Sequence, residues 1–303
     1  MKHTHTITFY LVLLFISTQL LGLWLLSRNL HLEQIDGHIG LQHTDTILGP
    51  RPQTTGAASF IYIASAVVIG TLLLLLLIKY RKVQLWKFWY GLACFLTLSI
   101  ALGVLLPSLW AFALALVLVL LKLLRPNIYT HNITEIFIYA GIGVFLTPLL
   151  DLTWGVVLLI AIALYDMYAV WKSKHMIDMA QFQTQTHVFA GLSIPYKIST
   201  QPISKGQTKI LTTPPLKKQE YKNAILGGGD LAFPLIFTGS AMEHLLLQGF
   251  TLPQALSHSV VIVLGSSAAL FLLLTLAKKD RFYPAMPFLA IGCFVGYGVM
   301  LLL

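Results

Sequence analysis

The chain has 303 residues, of which 57% are hydrophobic and 10% charged, with a net charge of +9. Soluble domains carry about 25% charged residues, so a water-soluble globule is excluded, and recurring apolar runs of bilayer length mark an all-α polytopic membrane protein. The basic excess lies in short loops between apolar runs, where Lys and Arg set topology and meet anionic headgroups, which argues against a nucleic-acid partner.

Hydropathy predicts nine transmembrane helices, over 7–26, 59–78, 86–105, 109–124, 133–150, 153–171, 224–247, 256–276 and 283–303. The first run is too long for a signal-peptide core and no Ala-x-Ala site follows it, so it reads as a retained helix. Residues 27–58 offer too little apolar content for a domain. Residues 173–223 are polar, carry Pro202, Pro214 and Pro215, and read as a mobile loop. That loop divides the chain into a six-helix part (1–172) and a three-helix part (224–303). All six tryptophans fall within a few residues of a predicted helix end, where amphipathic rings prefer the interface. Alternating the loops across the membrane puts 18 of the 20 Lys and Arg on one side, leaving Arg28 and Arg51 on the other. The amino terminus and the 173–223 loop are therefore expected in the cytoplasm, and the carboxyl terminus outside. Cys94 and Cys293 both lie within predicted helices and give neither a disulfide framework nor a metal signature.

Two acids interrupt the apolar runs: Asp166 in the sixth and Asp230 in the seventh. A carboxylate at bilayer depth is expensive, so intramembrane acids usually mark function. Asp166 stands six residues before Lys172, and Asp230 seven after Asn223. At about 1.5 Å per residue, both carboxyls are expected roughly 9–10 Å below the cytoplasmic surface on consecutive antiparallel helices. Two carboxyls held close cannot both ionise cheaply, so one keeps a proton while the other acts as base. The base can deprotonate a water that attacks an amide carbonyl, and the acid can protonate the carbonyl oxygen. The run Gly227-Gly228-Gly229 before Asp230 weakens a helix but permits close approach of backbone. A substrate helix would have to unwind locally, and a strand from Thr208–Thr213 or from the approach to Asp230 could pair with it.

Tyr165-Asp166 in the sixth run, Gly227-Gly228-Gly229-Asp230 in the seventh and Pro284-Ala285-Met286-Pro287 opening the ninth resemble the ordered YD, GxGD and PAL signatures of the presenilin and signal-peptide-peptidase proteases. The resemblance spans the whole chain. It implies that Asp166 and Asp230 are catalytic, that Tyr165, the three glycines and Pro284, Ala285 and Met286 shape the site or contact substrate, and that no metal or other cofactor is required. Met286 departs from the leucine of the third signature, a swap that nearly conserves volume and apolarity. The expected orientation resembles presenilins, and the compact length is most like prokaryotic, archaeal members. The partners implied are transmembrane-helix protein substrates and membrane lipid, with an oligomer possible, and the location implied is the cell membrane. The alternative is an ion- or proton-coupled transporter using the two acids as a relay, although transporters usually show repeat symmetry and midplane sites.

Other groups carry less. His-Glu-x-x-His is absent, and the terminal His3-x-His5 is no ligand set. Gly265-Ser266-Ser267 with His258 share one helix and cannot readily form a catalytic pair. Gly292 and Gly296, four apart, read as a close-packing face. Glu243-His244 is expected to face the external interface. Asp151 and Glu135 lie near helix ends in reach of headgroups and call for no special role. The Asn132-x-Thr134 sequon falls on the cytoplasmic side and is discounted.

Overall fold

The structure is a computed structural model that describes residues 5–35, 38–173, 179, 182–183, 186, 188–197, 221–277 and 283–303. Among the described residues nine α-helices follow the nine expected runs: α1 (His5–Arg28), α2 (Ala57–Lys79), α3 (Val83–Gly103), α4 (Ser108–Leu124), α5 (Ile128–Leu146), α6 (Leu152–Met167), α7 (Gly228–Leu247), α8 (Leu252–Leu276) and α9 (Met286–Met300). Six are long and apolar enough to cross a membrane: α1, α2, α3, α8, α5 with its 3₁₀ extension to Leu149, and α6 with its continuation to Lys172. α4 and α9 are also apolar but shorter.

Local chemistry fixes several ends. Asp151 caps α6 by accepting the Trp154 N–H at 2.8 Å, and Asn127 caps α5 by accepting the Tyr129 N–H at 3.0 Å. Asp151 therefore has a structural task rather than none. Thr251 and Gln254 form a capping box at the start of α8.

α7 is the central helix. It buries 15 of its 20 residues, and Leu231, Leu235 and Phe237 interlock there with Leu11, Phe15 and Leu23 of α1. At the other extreme stands α2, which buries only Ser59 and Ile63 of its 23 residues. α8 and α9 pack closely because their facing residues are glycines. A Cβ on Gly292 would lie 2.6 Å from the Gly265 carbonyl, and one on Gly296 would lie 2.7 Å from the Ile262 Cα. Gly292 and Gly296 thus form the close-packing face read from their spacing.

Two antiparallel strand pairs depart from expectation. The 27–58 segment holds β1 (Leu30–Ile35) and β2 (His38–His43), in register from Leu30 with His43 to Ile35 with His38. Arg51 ties this segment to the bundle through Asn29 Oδ1 and the Val144 carbonyl. The second pair corrects the sequence reading directly. Residues 224–227, assigned above to the seventh helix, belong instead to β4 (Tyr221–Gly227), which pairs with β3 (Gly191–Lys197) from the middle of the long loop. An apolar tetrapeptide such as Ala224–Gly227 satisfies either period, and burial alone cannot separate strand from helix at that length. The Thr208–Thr213 stretch lies outside the described residues.

Candidate active site

α6 carries Asp166 into the bundle, within two turns of the basic residue Lys172. Directly after Met167 the helix widens to a π-turn over Tyr168–Lys172, a distortion that occurs frequently at functional sites. α7 begins at Gly228, immediately after β4, so Asp230 stands in the first turn of the helix, where unpaired N–H groups and the helix dipole favour negative charge. The sequence placed Asp230 two turns inside a helix; the strand moves it to a helix start. Pro234, four residues on, has no N–H to donate to the Asp230 carbonyl, which loosens the same turn. Gln19 of α1 donates to the next carbonyl, that of Leu231, at 2.9 Å.

Both carboxyls are buried, Asp166 to 3% exposure and Asp230 to 9%. They are close enough to interact electrostatically, and the Asp230 carboxyl also lies against the Gly227 backbone. Asp166 Oδ2 accepts the Met286 N–H at 3.0 Å, while its Oδ1 is buried with no hydrogen-bond partner among the described residues. Met286 is the first residue of α9, with Ala285 at the cap position and Pro287 in the first turn. The third motif therefore touches the first acid through its backbone.

A cavity of about 1960 Å³ joins these groups. It is lined by Asp166, Asp230, Tyr165, Gly227, Gly228, Gly229, Ala285 and Met286, with apolar walls from α2, α3 and α5. Pro284 is buried next to it but is not part of its lining. Tyr165 reaches Thr71 of α2 at 3.3 Å. Gly228 has a specific steric reason: the Tyr139 ring of α5 occupies the space its Cβ would need.

A sequence profile described as signal-peptide peptidase, presenilin aspartyl protease matches residues 7–303. The chain belongs to this family. Like its family, it is an intramembrane aspartyl protease and a multi-pass membrane protein, and family membership gives the transporter alternative no support. Two solved structures of a presenilin family intramembrane aspartate protease have the same fold. The form in space group C222 is 19% identical, aligned over 97% of this chain and 98% of that one, with a TM-score of 0.60. The form in space group P2 is 20% identical over 96% of each, with a TM-score of 0.61. A search of curated proteins returned no significant match.

The structure also corrects two minor readings. Glu135 does not reach headgroups: it is 1% exposed, lines the cavity and receives hydrogen bonds from Lys122, Tyr90 and the Gly191 backbone. Its position near a helix end concealed it, because hydropathy cannot tell an end at the surface from an end covered by a loop. Glu243 does not face the interface either; it is buried and pairs with His43 of β2 at 2.9 Å. In the sequon, Asn132 donates to the Ser193 carbonyl of β3 and Thr134 to the Thr130 carbonyl of its own helix. His3 lies outside the described residues, and among those described no group of His, Cys, Asp and Glu could hold a metal.

Proposed function

We propose that Asp166 and Asp230 are the catalytic dyad of this protease, hydrolysing peptide bonds within the transmembrane segments of single-span substrates. The observation that carries this reading is the meeting of two buried carboxyls from α6 and α7 in one large apolar cavity. The pair shares one proton. The ionised carboxyl takes a proton from water, the water oxygen attacks the amide carbon, and the other carboxyl protonates the carbonyl oxygen. Collapse of the resulting gem-diol breaks the C–N bond, and a proton from the dyad goes to the departing nitrogen. The two acids titrate as a unit, so acid and base roles belong to the pair.

The surrounding residues have distinct parts in this proposal. Met286 holds Asp166 through its N–H, which leaves Oδ1 of that carboxyl for water or substrate. Gly227, Gly228 and Gly229 keep side chains away from the approach to Asp230, while Tyr165, Ala285 and the buried Pro284 shape the walls. β4 is paired on one side by β3 and has residues Asn223, Ile225, Leu226 and Gly227 on the cavity. An unwound substrate strand added to it would recover the backbone hydrogen bonds lost on leaving its helix.

The proposal extends to nine transmembrane helices in the cell membrane, an interior amino terminus and an exterior carboxyl terminus. It keeps the division into a six-helix part (1–172), a connecting loop (173–223) and a three-helix part (224–303). Cleavage then falls nearer the cytoplasmic face, with lipid as solvent and self-association open to the same enzyme. The test uses purified protein in liposomes with a model transmembrane peptide. Asp166→Asn and Asp230→Asn should each abolish cleavage, and a hydroxyl-containing aspartyl-protease transition-state analogue should inhibit the unaltered enzyme. Proton-driven flux with intact peptide would overturn the proposal.

A further inference from the structure

A second buried ionic cluster stands beside the strand pair that leads into Asp230, and its Glu135 lines the same cavity as the dyad. Lys122 of α4 donates from Nζ to Glu135 Oε1 of α5 at 2.5 Å and to Thr134 Oγ1 at 2.9 Å; the two charged side chains are 3% and 1% exposed. The Tyr90 hydroxyl of α3 bridges Glu135 Oε1, at 2.8 Å, and the Phe189 carbonyl, at 2.9 Å. The second carboxylate oxygen, Oε2, accepts the Gly191 N–H at 2.9 Å. His131 approaches the Gly191 carbonyl at 2.8 Å, and Asn132 brackets the Ser193 backbone with two hydrogen bonds. Cys94 and Tyr139 complete the titratable groups that face Glu135.

This cluster ends on the backbone that carries Asp230. Gly191 is in register with Gly227, and the Gly228 N–H donates to the Ala190 carbonyl at 3.2 Å. Gly191 has φ +143°, which glycine adopts readily, and a Cβ there would collide with the Leu226 carbonyl. Tyr139, one turn beyond Glu135, lies beside that carboxylate at one end of its hydroxyl and against Gly228 at the other. Two routes thus lead from Glu135 to the residues immediately before Asp230. A buried charge pair is a poor way to gain stability, since apolar residues of similar volume often do as well. A charged acceptor for one strand N–H does specify where that strand sits.

We propose that Glu135 is a positioning residue of the protease: paired with Lys122, it fixes β3 and Tyr139 and so sets the place of Asp230 opposite Asp166. The inference rests on the dyad reading above. It assigns Glu135 no contact with the reacting atoms.

The test compares charge-matched double variants of the full chain in liposomes, using a model transmembrane peptide and counting active sites with the transition-state analogue. Lys122→Met with Glu135→Gln removes both charges but keeps an oxygen for the Gly191 N–H. Lys122→Met with Glu135→Leu removes the charges and the acceptor. At similar thermal stability, the leucine variant should lose on the order of 10- to 100-fold in kcat per active site, as a displaced catalytic group does, with KM little changed. Its pH–rate profile should also shift, whereas the glutamine variant should recover most of the turnover. Equal kcat per active site in the two doubles would overturn the proposal. Asp230→Asn run alongside separates the two readings. If it is inactive while the doubles are equal, only the role of Glu135 falls; if it cleaves like the unaltered enzyme, the dyad falls and takes this role with it.

Discussion

At Met286 the main chain does what a side chain does in most sites. Its N–H donates to Asp166 Oδ2, and Pro287 then carries the chain into α9. The contact depends on having an N–H at 286 rather than on the side chain there. Met286→Leu should therefore leave cleavage of a transmembrane peptide within about threefold of the starting value, since the swap nearly conserves volume. Met286→Pro deletes the donor and should reduce kcat by on the order of 100-fold, as displacement of a catalytic group does. Comparable turnover in both variants would remove this contact from the proposed mechanism. The side chains of this site were legible from the sequence because acids and glycine runs are conspicuous in apolar surroundings. The donor at 286 was not, because every residue but proline has an N–H and only the fold says which one meets Asp166. Glu135 was hidden for another reason. Nothing local to 133–150 reveals that a distant strand covers the end of α5.

Between α5 and α7 the strand pair β3–β4 mediates, and Asn132 is its most specific fastener. Its side chain donates to the Ser193 carbonyl at 2.8 Å and accepts the Ser193 N–H at 3.0 Å, acting toward β3 as another strand would. Asn132→Leu removes both bonds while leaving Ser193 polar groups partly buried. The expected cost is about 1–3 kcal/mol of stability, read as a lower thermal unfolding midpoint, accompanied by slower cleavage. An unchanged midpoint would show that β3 keeps its place without Asn132. The helices were recoverable from hydropathy because about twenty apolar residues admit few alternatives in a bilayer. β4 was not, because its apolar residues run on into the helix, and its partner lies thirty residues earlier in a polar stretch. Tertiary pairing, rather than any local preference, decides that Ala224–Gly227 is extended.

Across the whole molecule the distribution of basic residues makes one further claim that can be checked directly. Ser173, after α6, is expected inside the cell and Gln248, after α7, outside; both are exposed. The native cysteines, Cys94 and Cys293, are buried and should react slowly. Ser173→Cys and Gln248→Cys should therefore be labelled by a membrane-impermeant maleimide from opposite faces, Gln248→Cys in intact cells and Ser173→Cys only after permeabilisation. The reverse pattern would invert the proposed orientation while leaving the site geometry untouched.

The loose seating of α2 has a consequence for how a guest chain arrives. Acyl chains are as apolar as leucine, so a helix with two buried residues exchanges protein neighbours for lipid neighbours at small net cost. Tyr165 to Thr71 is a light latch on that wall. Passage between α2 and the remaining helices is then a sideways displacement within the bilayer plane, made without hydrating the incoming segment. Encounter frequency should accordingly follow the number of guest helices per unit membrane area, and diluting the bilayer with extra phospholipid should slow proteolysis even when bulk concentrations are held constant.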